Sequence, residues 1–328
     1  SDLSVINGSR PRPMPMAIGH EAAGKVVAIG DGVDDLLPGD HVVMVFWPSC
    51  GHCLPCDEGP PALCDPGAGA NGKGTLLSGG IRLHQEGAAL HHHLGCSAFA
   101  DHAVVSRRSL VKIDKDLPFQ EAALFGCAVL TGVGAVVNTG RVQAGESVAV
   151  IGLGGVGLAA VLGAIACGAS QIIAVDVSDE KLALATSMGA TATVNARDPD
   201  AIEQVRQLTG GGADFVFEFA GVGAALENAY KMTKRGGTTV TAGLPPPDVN
   251  LALNIVSLVA EERTVKGSYI GTCVPVRDIP RYVALYRAGR LPVHKLLSGT
   301  IGLDEINEGF DRLHDGSVVR LIVDFDKH

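Results

Sequence analysis

The run Ser147-Val-Ala-Val-Ile-Gly152-Leu-Gly154-Gly155-Val156-Gly157 decides the fold: an apolar, strand-like segment ends in a glycine turn that opens a helix. The first glycine of such a turn permits the tight bend, and the second lets the backbone approach a pyrophosphate. The third lets helix and strand pack closely. The phosphates then meet the free N–H groups and positive dipole end of the helix. Glycine turns are common in a chain with 43 glycines, so the surroundings carry the specificity. Asp176 ends the next apolar run, where its carboxylate can accept both adenosine ribose hydroxyls and repel a 2′-phosphate. This favours NAD over NADP, and Lys181 lies within reach of the same ribose. The plainer alternative for Asp176 is a cap of the helix that follows.

Working outward, strand-like runs recur at Ser147–Gly152, Ile172–Val177, Ala192–Asn195, Phe215–Ala220, Thr238–Leu244 and Thr264–Ile270. Helical patterns alternate with them at Val156–Cys167, Asp179–Met188, Ala201–Leu208, Ala224–Lys234 and Ile255–Glu262. The alternation predicts an α/β fold, a doubly wound six-stranded parallel sheet of the Rossmann type over residues 129–270. Residues 1–128 read as a mostly β, irregular antiparallel domain, with β-like stretches at Lys25–Ile29, His41–Phe46 and Ala103–Val105. The tail, 271–328, carries a helical stretch at Arg281–Arg287 and a strand-like Val318–Phe325, and is expected to return to the first domain.

A formal charge of −9 argues against nucleic acid and anionic membrane surfaces as partners. No uncharged span is read as membrane-crossing. Ser147–Val175 lacks charge, but its glycines make it strand, turn and buried helix. Eight cysteines, four in tight register, point to metal binding in a reducing, cytoplasmic setting rather than to disulfides. Cys50-x2-Cys53-x2-Cys56-x7-Cys64 offers four thiolates to one tetrahedral zinc and leaves no open position, which makes the site structural. His20 and Cys127, read alone, are a turn histidine and a buried apolar residue. His91-His92-His93 is read as loop structure without metal, because adjacent side chains diverge.

Gly19-His20-Glu21-x2-Gly24-x5-Gly30-x2-Val33, Gly39-Asp40-x-Val42, the four-cysteine lobe, Gly126-Cys127 and GLGGVG follow one another in a recognisable order. Together they resemble the zinc-dependent alcohol dehydrogenases of the medium-chain dehydrogenase/reductase family, along the whole chain. The resemblance implies a GroES-like catalytic domain and a second, catalytic zinc on His20 and Cys127, with Glu21 beside it or as a transient ligand. It implies cofactor contacts from Thr131 and Arg320, a proton relay beginning at Ser1, and a substrate cleft lined by Phe46, Trp47, His93, Leu94 and Leu244. Phe46 and Trp47 read equally well as core residues. Ser4 stands where many members carry a histidine that ends the relay, and a serine cannot be its final base at neutral pH.

In that family a cysteine ligand lies just ahead of the position matching Ser1. That ligand and the first strands are therefore expected to precede this sequence. A chain truly lacking them would hold the catalytic zinc poorly and be a non-catalytic NAD- and zinc-binding remnant. The long loop expected after Cys64 is similar to that of the glutathione-dependent formaldehyde dehydrogenases. Ala68 occupies the place of their carboxylate-binding arginine, with no base until Lys73, leaving Arg10 or Arg82 as substitutes for an S-(hydroxymethyl)glutathione substrate. The resemblance further implies a homodimer paired through Thr264–Ile270, although the sequence itself permits a tetramer.

Overall fold

The computed structural model describes Ser1–Asp326 and divides into two units. One comprises 1–127, 273–283 and 297–328; the other comprises 128–272 and 284–296. Residues 284–296 thus go with the second unit rather than with the returning tail.

The first unit holds β1 (Met16–Ala17), β2 (Ala22–Lys25), β3 (His41–Met44), β4 (Leu83–Gln85), β5 (Ala88–His92) and β6 (Leu110–Ile113). The antiparallel sheet β2-β3-β6 buries Val42, Val43 and Val111. The hairpin β4–β5 turns on Glu86-Gly87, both at positive φ, which matches the right-handed twist of its strands. β1 lies parallel on β5, with Met16 opposite His91 and Ala17 opposite His92. That register carries the chain at 18–20 past residue 93.

Several local expectations change here. The strand expected at Lys25–Ile29 is shifted to β2; Val26 still bonds Asp40, and the ladder ends there. Ala103–Val105 forms no strand, because no described strand pairs with it. The loop expected after Cys64 is the helix Asp65–Lys73, started by Cys64, whose sulfur accepts the Gly67 N–H, and ended at left-handed Gly74. Of the histidines expected in a loop, His91 and His92 close β5, and His93 lies just beyond it.

The second unit is a six-stranded parallel sheet: β7 (Ser147–Ile151), β8 (Gln171–Asp176), β9 (Ala192–Asn195), β10 (Ala213–Glu218), β11 (Thr233–Thr241) and β12 (Thr264–Gly267). Its order is β12-β11-β10-β7-β8-β9, so the winding reverses between β7 and β10 and opens a crevice at their C-terminal ends. β7 is buried along its whole length, as a strand covered on both faces must be. The uncharged run continues into the helix Gly155–Cys167, whose Leu158–Leu162 segment is also buried. Among the described residues no single helix is long and apolar enough to cross a membrane.

The tail adds β13 (Gly299–Ile301) and β14 (Leu321–Val323), a parallel pair in the first unit. Its helix runs from Pro275 to Arg287, longer than expected, because Pro280 lies inside it rather than at its start. A further helix, Ile306–His314, was not anticipated.

At the start of β7 and β10, Asp214 accepts the Ser147 N–H at 2.8 Å and its hydroxyl at 2.6 Å, and pairs with Lys234. Burial alone would raise the Asp214 carboxyl, but Lys234 and Ser147 outweigh it and hold the pKa below its ordinary 3.8. A depressed carboxyl stabilises the fold above the unfolded value and loses that contribution as pH falls through the folded one. Asp214→Asn is expected to cost about 1–2 kcal/mol at pH 7 in urea unfolding followed by circular dichroism. Its deficit should shrink below pH 3.8. A deficit unchanged at low pH would contradict this account.

Candidate active site

Two glycines bring distant segments together. Gly19 has φ +98°, and a Cβ there would stand 2.5 Å from the Phe99 nitrogen. A Cβ on Gly126 would stand 2.2 Å from the Met44 carbonyl oxygen. No side chain fits at either place, and the close approach sets His20 and Cys127 side by side. The ligand atoms of His20, Glu21 and Cys127 lie within 4.8 Å of one another. The glycine in each motif is thus a packing requirement of the residue that follows it.

Asp2, which sequence reading did not single out, organises this cluster. It begins the short helix Asp2–Ile6 and is only 8% exposed. Its Oδ2 lies 2.6 Å from His20 Nδ1, and its Oδ1 accepts the Gly19 N–H at 2.8 Å. His93 Nδ1 stands 2.9 Å from the same Oδ1, off the line of an ideal hydrogen bond. A carboxylate only accepts, so it holds the proton on His20 Nδ1 and leaves the Nε2 lone pair for a metal. Burial opposes a charge on His20. Asp2 and Cys127 outweigh it and push the pKa up to about 10. Burial likewise opposes ionisation of Asp2, and the two histidines overcome it, holding the carboxyl well below its usual range. A pocket that retains positive charge so firmly, with N, S and O donors converging, fits a zinc ion.

The other expected residues fall in different places. Phe46 is buried, edge-on to His20 with ring centroids 5.8 Å apart. Trp47 donates its indole N–H to the Pro61 carbonyl at 3.0 Å, which ties it to the cysteine lobe. His93 and Leu94 are buried, whereas Leu244, in the other unit, is exposed. Ser1 is exposed at the head of the helix that carries Asp2. Arg320 lies just before β14, with Nε 3.7 Å from Glu21.

The sulfurs of Cys50, Cys53, Cys56 and Cys64 also lie within 4.8 Å of one another, with Cys53 and Cys56 3.5 Å apart. Zinc–sulfur bonds of about 2.3 Å in a tetrahedron require sulfurs roughly 3.8 Å apart, so the set fits one zinc. The N–H groups of Cys50 and Gly67 point at the Cys64 sulfur. The His52 N–H pulls the Cys50 thiol down, while burial pushes Cys64 up. Cys50 therefore ionises readily, whereas Cys64 needs the cation to give up its proton.

In the second unit, a Cβ on Gly152 would meet the Ala220 nitrogen at 2.6 Å, and one on Gly157 the Gly152 oxygen at 1.8 Å. A Cβ on Gly154 would meet nothing within 4 Å, so this glycine borders open space. Gly155, Val156 and Gly157 form the first turn of the helix, and no side chain caps it. Those N–H groups suit an anion. Asp176 is buried at the end of β8, with one oxygen on the Leu153 N–H at 2.6 Å and the other on the Ser178 N–H at 3.0 Å. Lys181 sits in the first turn after Ser178. The Thr131 hydroxyl is buried with no partner among the described residues. These features fit a dinucleotide. Buried Glu218, also missed from sequence, binds the Gly221 N–H and the Thr241 hydroxyl and so anchors the turns after β10 and β11.

Residues 1–115 match the family described as the alcohol dehydrogenase GroES-like domain, and 155–288 match the zinc-binding dehydrogenases. An alcohol dehydrogenase zinc-binding domain protein from Burkholderia ambifaria is similar, with 35% identity and a TM-score of 0.94 over 98% of this chain and 87% of that one. Benzyl alcohol dehydrogenase from Acinetobacter calcoaceticus matches with 33% identity and a TM-score of 0.92 over the same shares, 98% and 87%. A putative zinc-binding dehydrogenase from Sinorhizobium meliloti 1021, bound to NADP, matches with 28% identity and a TM-score of 0.77 over 94% and 83%.

Cys56→Ser is expected to lower zinc content by one ion per chain, measured by inductively coupled plasma mass spectrometry. An unchanged zinc content would mean that the four sulfurs do not share a metal.

Proposed function

This chain belongs to the zinc-dependent alcohol dehydrogenases of the medium-chain dehydrogenase/reductase family, and we propose that it oxidises a primary or secondary alcohol with NAD. Zinc and a nicotinamide dinucleotide are its cofactors, and the convergence of His20, Glu21 and Cys127 around buried Asp2 carries the reading. In this proposal His20 and Cys127 hold the catalytic zinc, Glu21 stands by as an exchangeable ligand, and the four-cysteine lobe holds a structural zinc. A zinc held by His20 and Cys127 would supply Lewis acidity for an alcohol oxygen, and a dinucleotide held on the glycine turn would supply the hydride acceptor. Ser1 accepts and passes on the alcohol proton, with water completing the path that Ser4 cannot end.

Asp176 supports NAD: a carboxylate already aimed at the glycine turn accepts ribose hydroxyls and repels a phosphate. Gly152, Gly154 and Gly157 shape the turn, and Thr131 and Lys181 add cofactor contacts from the same unit. Phe46 supports an apolar substrate, and the relative named benzyl alcohol dehydrogenase makes benzyl alcohol the first to try. The glutathione adduct is disfavoured, since Ala68 on its helix offers no cation.

A homodimer through β12 fits its place at the sheet edge and the exposed Ile255, Val256 and Val259 just before it. Eight cysteines, five of them proposed zinc ligands and none in a disulfide among the described residues, fit the cytoplasm.

NADH formation, read by absorbance over benzyl and aliphatic alcohols, tests the proposal. Wild type should prefer NAD, and Asp176→Ala should lower kcat/KM with NAD about 10- to 100-fold while narrowing the gap to NADP. Wild-type preference for NADP, or no turnover of any alcohol with two zincs bound, would contradict it.

A further inference from the structure

Orienting one histidine needs one carboxylate oxygen. Asp2 presents its second oxygen to both the Gly19 N–H and His93 Nδ1. The torsion that turns a carboxylate is soft, so an oxygen held from one side leaves the group free to swing. His93 closes the other side. Its own position is set by the parallel pairing of β1 with β5 and by its N–H, which reaches the Ala17 carbonyl at 3.2 Å and the Ser97 hydroxyl at 2.9 Å. The His93 side chain is 2% exposed, and its ring stands edge-on to His20 with centroids 5.6 Å apart. Phe46 also stands edge-on to His20, with centroids 5.8 Å apart.

We propose that His93 is a positioning residue that acts through Asp2 to hold the ligand His20 in register. Asp2 Oδ2 meets His20 Nδ1 at 2.6 Å and Asp2 Oδ1 lies 2.9 Å from His93 Nδ1, close enough for a small ring rotation to make the second bond, and the three side chains form one clamp. A residue that merely walled the substrate cleft would need volume but no donor. A phenylalanine would supply the volume and lose the clamp, whereas an asparagine amide can place a donor near the Nδ1 position. The inference rests on the reading that His20 holds zinc.

The test is zinc release from the full-length protein to the chromogenic chelator 4-(2-pyridylazo)resorcinol, in wild type, His93→Phe and His93→Asn. Wild type should release two zincs in separable phases. His93→Phe should speed one phase about tenfold and leave the other unchanged, the four-cysteine site acting as internal control. His93→Asn should restore the wild-type rate. If His93→Phe does not fold, His93→Leu is read in its place. Equal release from wild type and the apolar variant, acceleration of both phases together, or an asparagine variant as fast as the apolar one would overturn the proposal. A wild type holding one zinc would sink the catalytic reading and this inference with it. Two zincs with no effect at His93 would sink this inference alone.

Discussion

The buried carboxylate of Asp2 is the interaction on which the site depends. Taking an anion out of water costs several kcal/mol unless donors meet it. Here Gly19, His20 and His93 meet it, from segments that β1 and β5 bring together. The carboxylate then fixes the tautomer of His20, and the space it needs is created by backbone crossings that tolerate only glycine at 19 and 126. The chemistry at the centre and the steric demands around it are one constraint.

Two donor sets of different character follow. The four sulfurs of the lobe are all thiol and close on themselves. Trp47 ties the lobe to the strand region through Pro61. The set around His20 mixes nitrogen, sulfur and oxygen, and one of its members, Glu21, is shared with Arg320. A closed sulfur set suits a structural ion, and a mixed set with a movable carboxylate suits one that must accept a substrate oxygen.

Much of this was legible beforehand, for definable reasons. Strands buried on both faces are near-continuous apolar runs, so β7, β8 and β10 stood out, and the turn after β7 followed from its glycines. The four cysteines were legible because their ligand spacing is local. His20 and Cys127 had no spacing to connect them, and only the family resemblance joined them. Asp2 was invisible: an acid in a short helix shows no sign of burial until Gly19 and His93 are folded onto it. Asp65–Lys73 was read as loop because its cap is a cysteine sulfur rather than a usual capping side chain. The helix from Pro275 was cut short because Pro280 normally marks a boundary.

The proposed arrangement is two zinc centres of unlike chemistry within one unit. Anomalous scattering at the zinc edge, from crystals of the zinc-loaded protein, tests it most directly. One peak is expected among Cys50, Cys53, Cys56 and Cys64 and a second beside His20 and Cys127, with Asp2 still on His20 Nδ1. A single peak, or a second peak away from His20, would contradict it.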